Sequence, residues 1–396
     1  MTKYLVISSD GHAGPPAAVY REYLDPAFRQ KFDDHQAALD AGRMVNTDFV
    51  KEWDEETGDL ELKAAFDPAV RDAILDKEGV AAEVLFPDAD VLGTGRTASS
   101  PFGSGLASGA DADPGSVKAG ARAHNRWLAD FCVTNPHRRI GVAVVPVTAG
   151  VDDAIAEMDA AAAAGLRGVL IPTRWFDQPA YLDQSYDPFW AACEERGMVV
   201  HTHSGAGPAD YVLGPGFVPI YTAEAWWWAA RPFWVLILSG VFERHPALRY
   251  SIAENGAWWV PDIVKRMDEK WVGGHNTRKF GEIFKQGLPM KPSEYVDRNC
   301  FFAASTPGVD EIDRRRDIGV DNLLWGNDLP HPEGTYPHTR HWIAERFRRV
   351  PEDETTKILG QNAAGLYGVD PRALAAVVER IGPTTADVHG KASVGV

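Results

Sequence analysis

The strongest constraint on this chain is a series of eight short apolar runs, at residues 4–9, 82–86, 140–146, 168–172, 198–203, 249–253, 300–304 and 322–326. Each suits one buried strand and is too short for a typical buried helix. Stretches with helical spacing separate them, at 66–77, 117–134, 151–164, 188–196, 223–242, 256–269 and 309–318. Uninterrupted apolar strands are the mark of a parallel sheet covered on both faces, and consecutive strand–helix units favour a (β/α)8 TIM barrel. A doubly wound sheet fits less well, because no glycine-rich phosphate turn marks a switch point. Gly93-Thr94-Gly95-Arg96-Thr97-Ala98 has the nominal spacing of such a turn. It neither joins a strand tightly to a helix nor has the acidic residue that should follow, so it reads as loop.

A chain of 396 residues can bury one large core. The expected organisation is a single barrel over 1–381, with insertions at 17–65 and 93–116 over its mouth. Extra helices at 353–366 and 371–380 follow, then a tail at 382–396 that is mobile or tucked against a neighbouring subunit. The net charge of −16, without long blocks of one sign, argues against nucleic acid as a partner. The most apolar segment, 223–241, contains Glu224 and Arg231 and reads as a buried helix rather than a membrane span. Cys132, Cys193 and Cys300 are isolated and odd in number, which indicates neither a disulfide framework nor a zinc knuckle. A cytoplasmic protein without a signal peptide is expected.

Chemistry gathers at three strand ends. Asp10-Gly11-His12 ends the first run, His201-Thr202-His203 the fifth, and Asn327-Asp328-Leu329-Pro330-His331 follows the eighth. In a barrel, C-terminal strand ends converge on one pocket. Asp10 and His12 are two apart and face the same side of an extended chain, as do His201 and His203. With Asp328 they form a mixed nitrogen and oxygen set suited to Zn2+, Mn2+ or Fe2+.

These stretches resemble the amidohydrolase superfamily, in the amidohydrolase-related branch that includes aminocarboxymuconate semialdehyde decarboxylase and γ-resorcylate decarboxylase. The matching segments are Ser9-Asp10-Gly11-His12, His203-Ser204-Gly205, Phe242-Glu243-Arg244-His245-Pro246-Ala247-Leu248-Arg249, Glu254-Asn255-Gly256-Ala257-Trp258 and Gly326-Asn327-Asp328-Leu329-Pro330-His331. The resemblance implies one divalent metal, zinc first with manganese or iron as alternatives, held by Asp10, His12, His203 and Asp328. His203 is preferred to His201 because it precedes a small Ser-Gly turn; His201 is then a core histidine one layer lower. Segment 168–174 lacks the lysine that bridges two metals in binuclear relatives, so one ion is expected. Where decarboxylases of the branch place a histidine after the sixth strand, this chain has Glu254, either a proton-transfer group or a cap for the helix expected from Gly256.

On this basis the expected activity is metal-dependent hydrolysis of a small organic substrate. Asp328 takes a proton from the attacking water, and His331 orients Asp328 or binds substrate. Arg174 holds a substrate carboxylate, while Phe86 and Trp175 line the pocket. The alternative is nonoxidative decarboxylation of an aromatic or enoic acid. A metal-binding barrel without catalysis is a third reading. Thirteen tryptophans suggest an aromatic or apolar substrate. The resemblance also implies a homodimer.

Overall fold

The computed structural model describes residues 2–42, 60–87, 101–103, 113–173, 178–205, 216–273 and 281–390. Eight parallel strands follow one another in chain order around a nearly closed (β/α)8 barrel. They are β1 (Ile7–Ser8), β2 (Ala82–Leu85), β3 (Arg139–Val144), β4 (Gly168–Leu170), β5 (Val199–His203), β6 (Tyr250–Ala253), β7 (Cys300–Ser305) and β8 (Leu323–Gly326). All eight apolar runs thus supply strands. The ring is closed between β8 and β1 by backbone bonds from Ser9 N–H to Trp325 O (2.8 Å), Asp328 N–H to Asp10 O (3.0 Å) and His12 N–H to Leu329 O (2.7 Å).

Inside the ring, Ile7, Val84, Ile140, Val142, Leu170, Val199 and Leu324 pack together with Ala363, Ala364, Tyr367 and Leu374 from the last helices. Arg167, just before β4, donates to the carbonyls of Tyr367 (2.8 Å) and Gly368 (3.0 Å). The C-terminal helices therefore plug the end of the barrel where the strands begin, and only the opposite end is free to hold a site.

Two glycines make room for interior groups. A Cβ on Gly168 would stand 2.5 Å from the His201 ring, and one on Gly326 would stand 2.7 Å from the Asp10 Cβ. The second contact lets β8 press directly on the segment that carries the first acidic side chain.

Several boundaries differ from the sequence reading. The expected helix over 223–242 runs Phe217–Leu238, breaks at Gly240 in left-handed backbone, and resumes as Val241–Arg244. Trp227 and Leu238 on it are exposed, so it is a surface-facing element rather than a buried rod. The helix expected from Gly256 begins at Val260. Pro292–Asn299 and Thr339–Phe347 are helices the apolar pattern did not mark. Of the tail, residues 382–390 are folded: Thr384 bridges to Lys3 and Thr385–His389 forms a short helix. Of the insertion 17–65, Ala17–Tyr23, Arg29–Gly42 and Leu60–Ala64 are helical. Tyr20 anchors the first of these to the helix Pro114–Val133 through a 2.8 Å bond between its hydroxyl and His124 Nδ1. Most of 93–116, including the glycine-rich segment, lies outside the described residues. No described helix is long and apolar enough to cross a membrane. The three cysteines are buried and free, and burial pushes the Cys132 thiol up to about 12.

Candidate active site

Past the C-terminal ends of β1, β5, β6 and β8 stand three carboxylates and three imidazoles: Asp10, Glu254, Asp328, His12, His203 and His331. Asp10 and His12 lie just beyond the two residues of β1, so strand alternation alone does not aim them. The bridges from Gly11 to Leu329 and from His12 to Phe86 do. Glu254 and Asp328 both occupy left-handed backbone, at φ 50° and 56°. A side chain in that region costs about 1–3 kcal/mol, and such strain collects where geometry serves function.

Donor atoms converge on His12. Its Nε2 is 3.3 Å from Asp328 Oδ1, 3.3 Å from Glu254 Oε2 and 3.7 Å from Asp10 Oδ1. His203 Nε2 is 3.2 Å from Asp10 Oδ1 and 3.5 Å from Glu254 Oε2. His331 Nδ1 is 3.1 Å from Asp328 Oδ1 and 3.7 Å from Glu254 Oε2, and its ring lies over His12 at 4.0 Å. Asp10, His12, His203 and Asp328 are at most 3% exposed, while the Glu254 and His331 side chains keep 20% and 14% of their surface. The latter two therefore form the accessible side of the cluster.

The second ring nitrogens fix how the imidazoles are used. His12 Nδ1 lies 2.7 Å from the Pro87 carbonyl and His203 Nδ1 lies 3.0 Å from the Ser204 carbonyl, so each donates a proton there. That leaves the Nε2 lone pairs facing anionic oxygens, an arrangement stable only with a cation between them, either a proton or a metal ion. Two donors about 2.1 Å from one ion stand about 3.0 Å apart at right angles and about 3.4 Å apart at the tetrahedral angle. The separations above, 3.1–3.7 Å, overlap that interval and run slightly past its upper end. Asp328 Oδ2 is buried without a hydrogen-bond partner, one more oxygen directed at an unfilled demand. The donor set fits a divalent cation.

Proton affinities carry the same message. Burial and the neighbouring His331 oppose charge on His12, yet Asp328, Glu254 and Asp10 outweigh them and hold it up at about 10. Burial likewise opposes charge on His203 and His331, and the facing carboxylates raise both. Burial also opposes the Glu254 carboxylate, but His203, His12 and His331 hold it well below its usual range. Asp10 is raised, chiefly by complete burial.

Among the described residues, two groupings bring their donor atoms within 4.8 Å of one another: Asp10, His12, His203 with Glu254, and His12, Glu254, Asp328 with His331. Glu254 thus belongs to both. It does not cap a helix, since the next one starts six residues on. His201 is elsewhere: its Nε2 bonds the Tyr367 hydroxyl at 2.8 Å, and burial pushes it down to about 3, so it is a neutral core residue. Phe86 is 1% exposed and packs on His203 at 4.7 Å and His201 at 5.3 Å, forming a wall behind the imidazoles. Arg174 and Trp175 lie outside the described residues. Two contributors escaped the sequence reading. Ser305, ending β7, donates to Asp10 Oδ2. Glu83, a lone carboxylate inside the apolar second run, is paired with Arg71 behind the site. Its presence in a buried strand was the available signal, because a buried carboxylate requires a partner.

A family model described as amidohydrolase (Amidohydro_2) matches residues 98–369. The chain belongs to this amidohydrolase family. The matched region holds His203, Glu254, Asp328 and His331, while Asp10, His12 and Phe86 precede it. No curated protein matches. Among solved structures, an amidohydrolase from Mycobacterium avium subsp. paratuberculosis K-10 is 21% identical, with 93% of this chain and 100% of that chain covered at a TM-score of 0.66. The 5-carboxyvanillate decarboxylase of Sphingomonas paucimobilis is 20% identical, with 93% and 100% covered at 0.61. A dihydroxybenzoic acid decarboxylase from Polaromonas sp. JS666, with bound manganese and the inhibitor 2-nitroresorcinol, is 18% identical, with 92% and 97% covered at 0.59. At these identities the likeness establishes the shared barrel. The family match bears out the amidohydrolase-related branch read from the sequence.

Proposed function

We propose that this amidohydrolase-family protein is a metal-dependent nonoxidative decarboxylase of a small aromatic acid, rather than the hydrolase its sequence first suggested. The observation that carries the reading is the cluster of three imidazoles, two buried and one half-buried, among three carboxylates at the barrel mouth. The decarboxylases with the same barrel, one of them holding manganese and a resorcinol-type inhibitor, add support. Asp10, His12, His203 and Asp328 would hold the ion, since these four are nearly excluded from solvent. Glu254 and His331, on the open side, are left to face the substrate. The ion would fix the substrate's oxygens and offset charge that develops on them.

In this reaction the ring carbon–carboxylate bond breaks, its electron pair stays on the ring carbon, CO2 leaves, and a proton takes its place. The residues must therefore keep a proton next to the ring. His331 is placed to do so, because Asp328, 3.1 Å away, and Glu254 raise its affinity for a proton. Glu254 remains a carboxylate and steadies the charged ring of His331. Phe86 backs the imidazoles, and Arg174 and Trp175 are assigned to the substrate's carboxylate and ring.

Hydrolysis is the second reading, favoured by Glu254, whose deprotonated carboxylate at the accessible edge suits a base acting on water. One experiment separates them. Protein loaded with Mn2+ or Zn2+ is given ortho-hydroxybenzoates, and separately aryl esters and amides. Release of CO2, with a solvent deuteron on the ring carbon, supports decarboxylation. Turnover of the esters or amides alone refutes it in favour of hydrolysis.

A further inference from the structure

Behind the cluster, on the outer face of the strands, lies an ion pair that the chemistry above does not use. Arg71, in the helix Pro68–Glu78, and Glu83, in β2, are both 0% exposed. Arg71 Nε is 3.0 Å from each Glu83 oxygen and Nη2 is 2.6 Å from Oε2, so one edge of the guanidinium is spent on the carboxylate. The remaining donors go to backbone. Nη1 donates to the His12 carbonyl at 2.8 Å, and Nη2 reaches the Leu329 carbonyl at 3.3 Å.

Those two carbonyls sit on opposite sides of the seam where the barrel closes. Leu329 follows Asp328, and its carbonyl already accepts the His12 N–H at 2.7 Å. One planar group therefore touches the backbone of His12 and of the residue next to Asp328. Gly11 allows the approach, because a Cβ there would stand 3.0 Å from Arg71 Nη2. Three backbone bonds close the β1–β8 seam, and Ser8 Oγ donates to Asn327 Oδ1 at 2.8 Å and accepts from the Asn327 N–H at 2.9 Å; Arg71 adds a side-chain tie at the end of the seam that carries His12 and Asp328.

Stability alone does not call for this pair. A buried ion pair is often replaced by apolar residues of similar volume without loss, because desolvation offsets the attraction. An apolar pair, however, cannot bond two carbonyls across a seam. A lysine keeps the charge but lacks the rigid fork.

We infer that Arg71, held by Glu83, is a positioning residue that sets the separation of His12 and Asp328 by tying together the backbone on both sides of the β1–β8 seam. In its consequence for metal binding this rests on the proposed metal site; in its consequence for the seam it does not.

The test compares wild type, Arg71→Lys, and the double variant Arg71→Met with Glu83→Leu. The double variant removes both charges and keeps the volume. Folding is followed by circular dichroism and thermal melting, the site by Co2+ titration with its visible spectrum, and the seam by hydrogen exchange of the His12 and Asp328 amides. The expected result is a folded double variant whose Co2+ affinity falls at least tenfold with an altered spectrum. Its seam amides exchange at least tenfold faster, while that of Val200 in β5 does not change. Arg71→Lys falls between. A folded double variant with wild-type seam exchange overturns the inference, and so does failure of both variants to fold, which would make the pair a general stabiliser. A wild type that takes up no Co2+ refutes the metal reading alone, and the exchange data then decide the seam.

Discussion

Raising the pH should tighten metal binding steeply, and the size of the effect follows from His12. In the metal-free protein its imidazole is held up at about 10, so at pH 7 it carries a proton that an incoming ion must displace. At about 1.4 kcal/mol per pH unit, displacing it at pH 7 costs about 4 kcal/mol. Apparent affinity should therefore rise at least tenfold per pH unit between 7 and 9 and level off above about 10. His203 is also raised, so the slope is steeper wherever both imidazoles still carry protons. The sign reverses for the metal-free fold. A group raised above its unfolded value lends stability fully present below about 6.5 and lost as pH climbs through about 10. The metal-free protein should thus lose stability on going from pH 7 to 10, while the loaded protein is spared. Calorimetric Co2+ titrations across pH 6.5–9.5, in two buffers of different ionisation heat, count the protons released. A pH-independent affinity with buffer-independent heat would refute the argument, because it would mean the imidazoles carry no proton to displace.

Three more outcomes follow from the geometry. Elemental analysis should find about one divalent ion per wild-type chain, falling sharply in Asp328→Ala and His203→Ala; a Glu254→Gln protein should keep its metal and lose turnover, and loss of metal there would make Glu254 a ligand instead. Gly326→Ala should cost about 1–3 kcal/mol in thermal or denaturant unfolding and weaken metal uptake, since its Cβ meets Asp10 at 2.7 Å. Unchanged metal affinity in that variant would show that Asp10 can yield without harm.

Much of this was legible in the chain itself, for reasons that differ by element. The eight strands could be read because a parallel strand covered on both faces is short and largely apolar, and these runs recur in alternation with stretches of helical spacing. Asp10, His12, His203 and Asp328 were conspicuous as polar residues immediately after such runs. Glu254 was harder, because a carboxylate two residues before a glycine suits a helix cap equally well; only the late start of the helix at Val260 separates the alternatives. His201 and His203 could be told apart only by the turn that follows, and the 2.8 Å bond from Tyr367 gives the reason His201 lies deeper. Ser305 and Arg71 act through contacts with residues far away in sequence, and no local pattern encodes those.

The seam between β8 and β1 also sets an order in time. During synthesis Asp10 and His12 leave the ribosome long before Asp328 exists, and Leu329, whose carbonyl receives both the His12 N–H and Arg71, follows later still. A nascent chain can offer a passing ion no more than a loose half-site. In the proposed metal site, the ion would therefore be chosen by a closed barrel with its donor spacing already set. Competition among ions is then decided by cavity geometry, rather than by whichever binds most avidly to an unfolded stretch of histidine and aspartate.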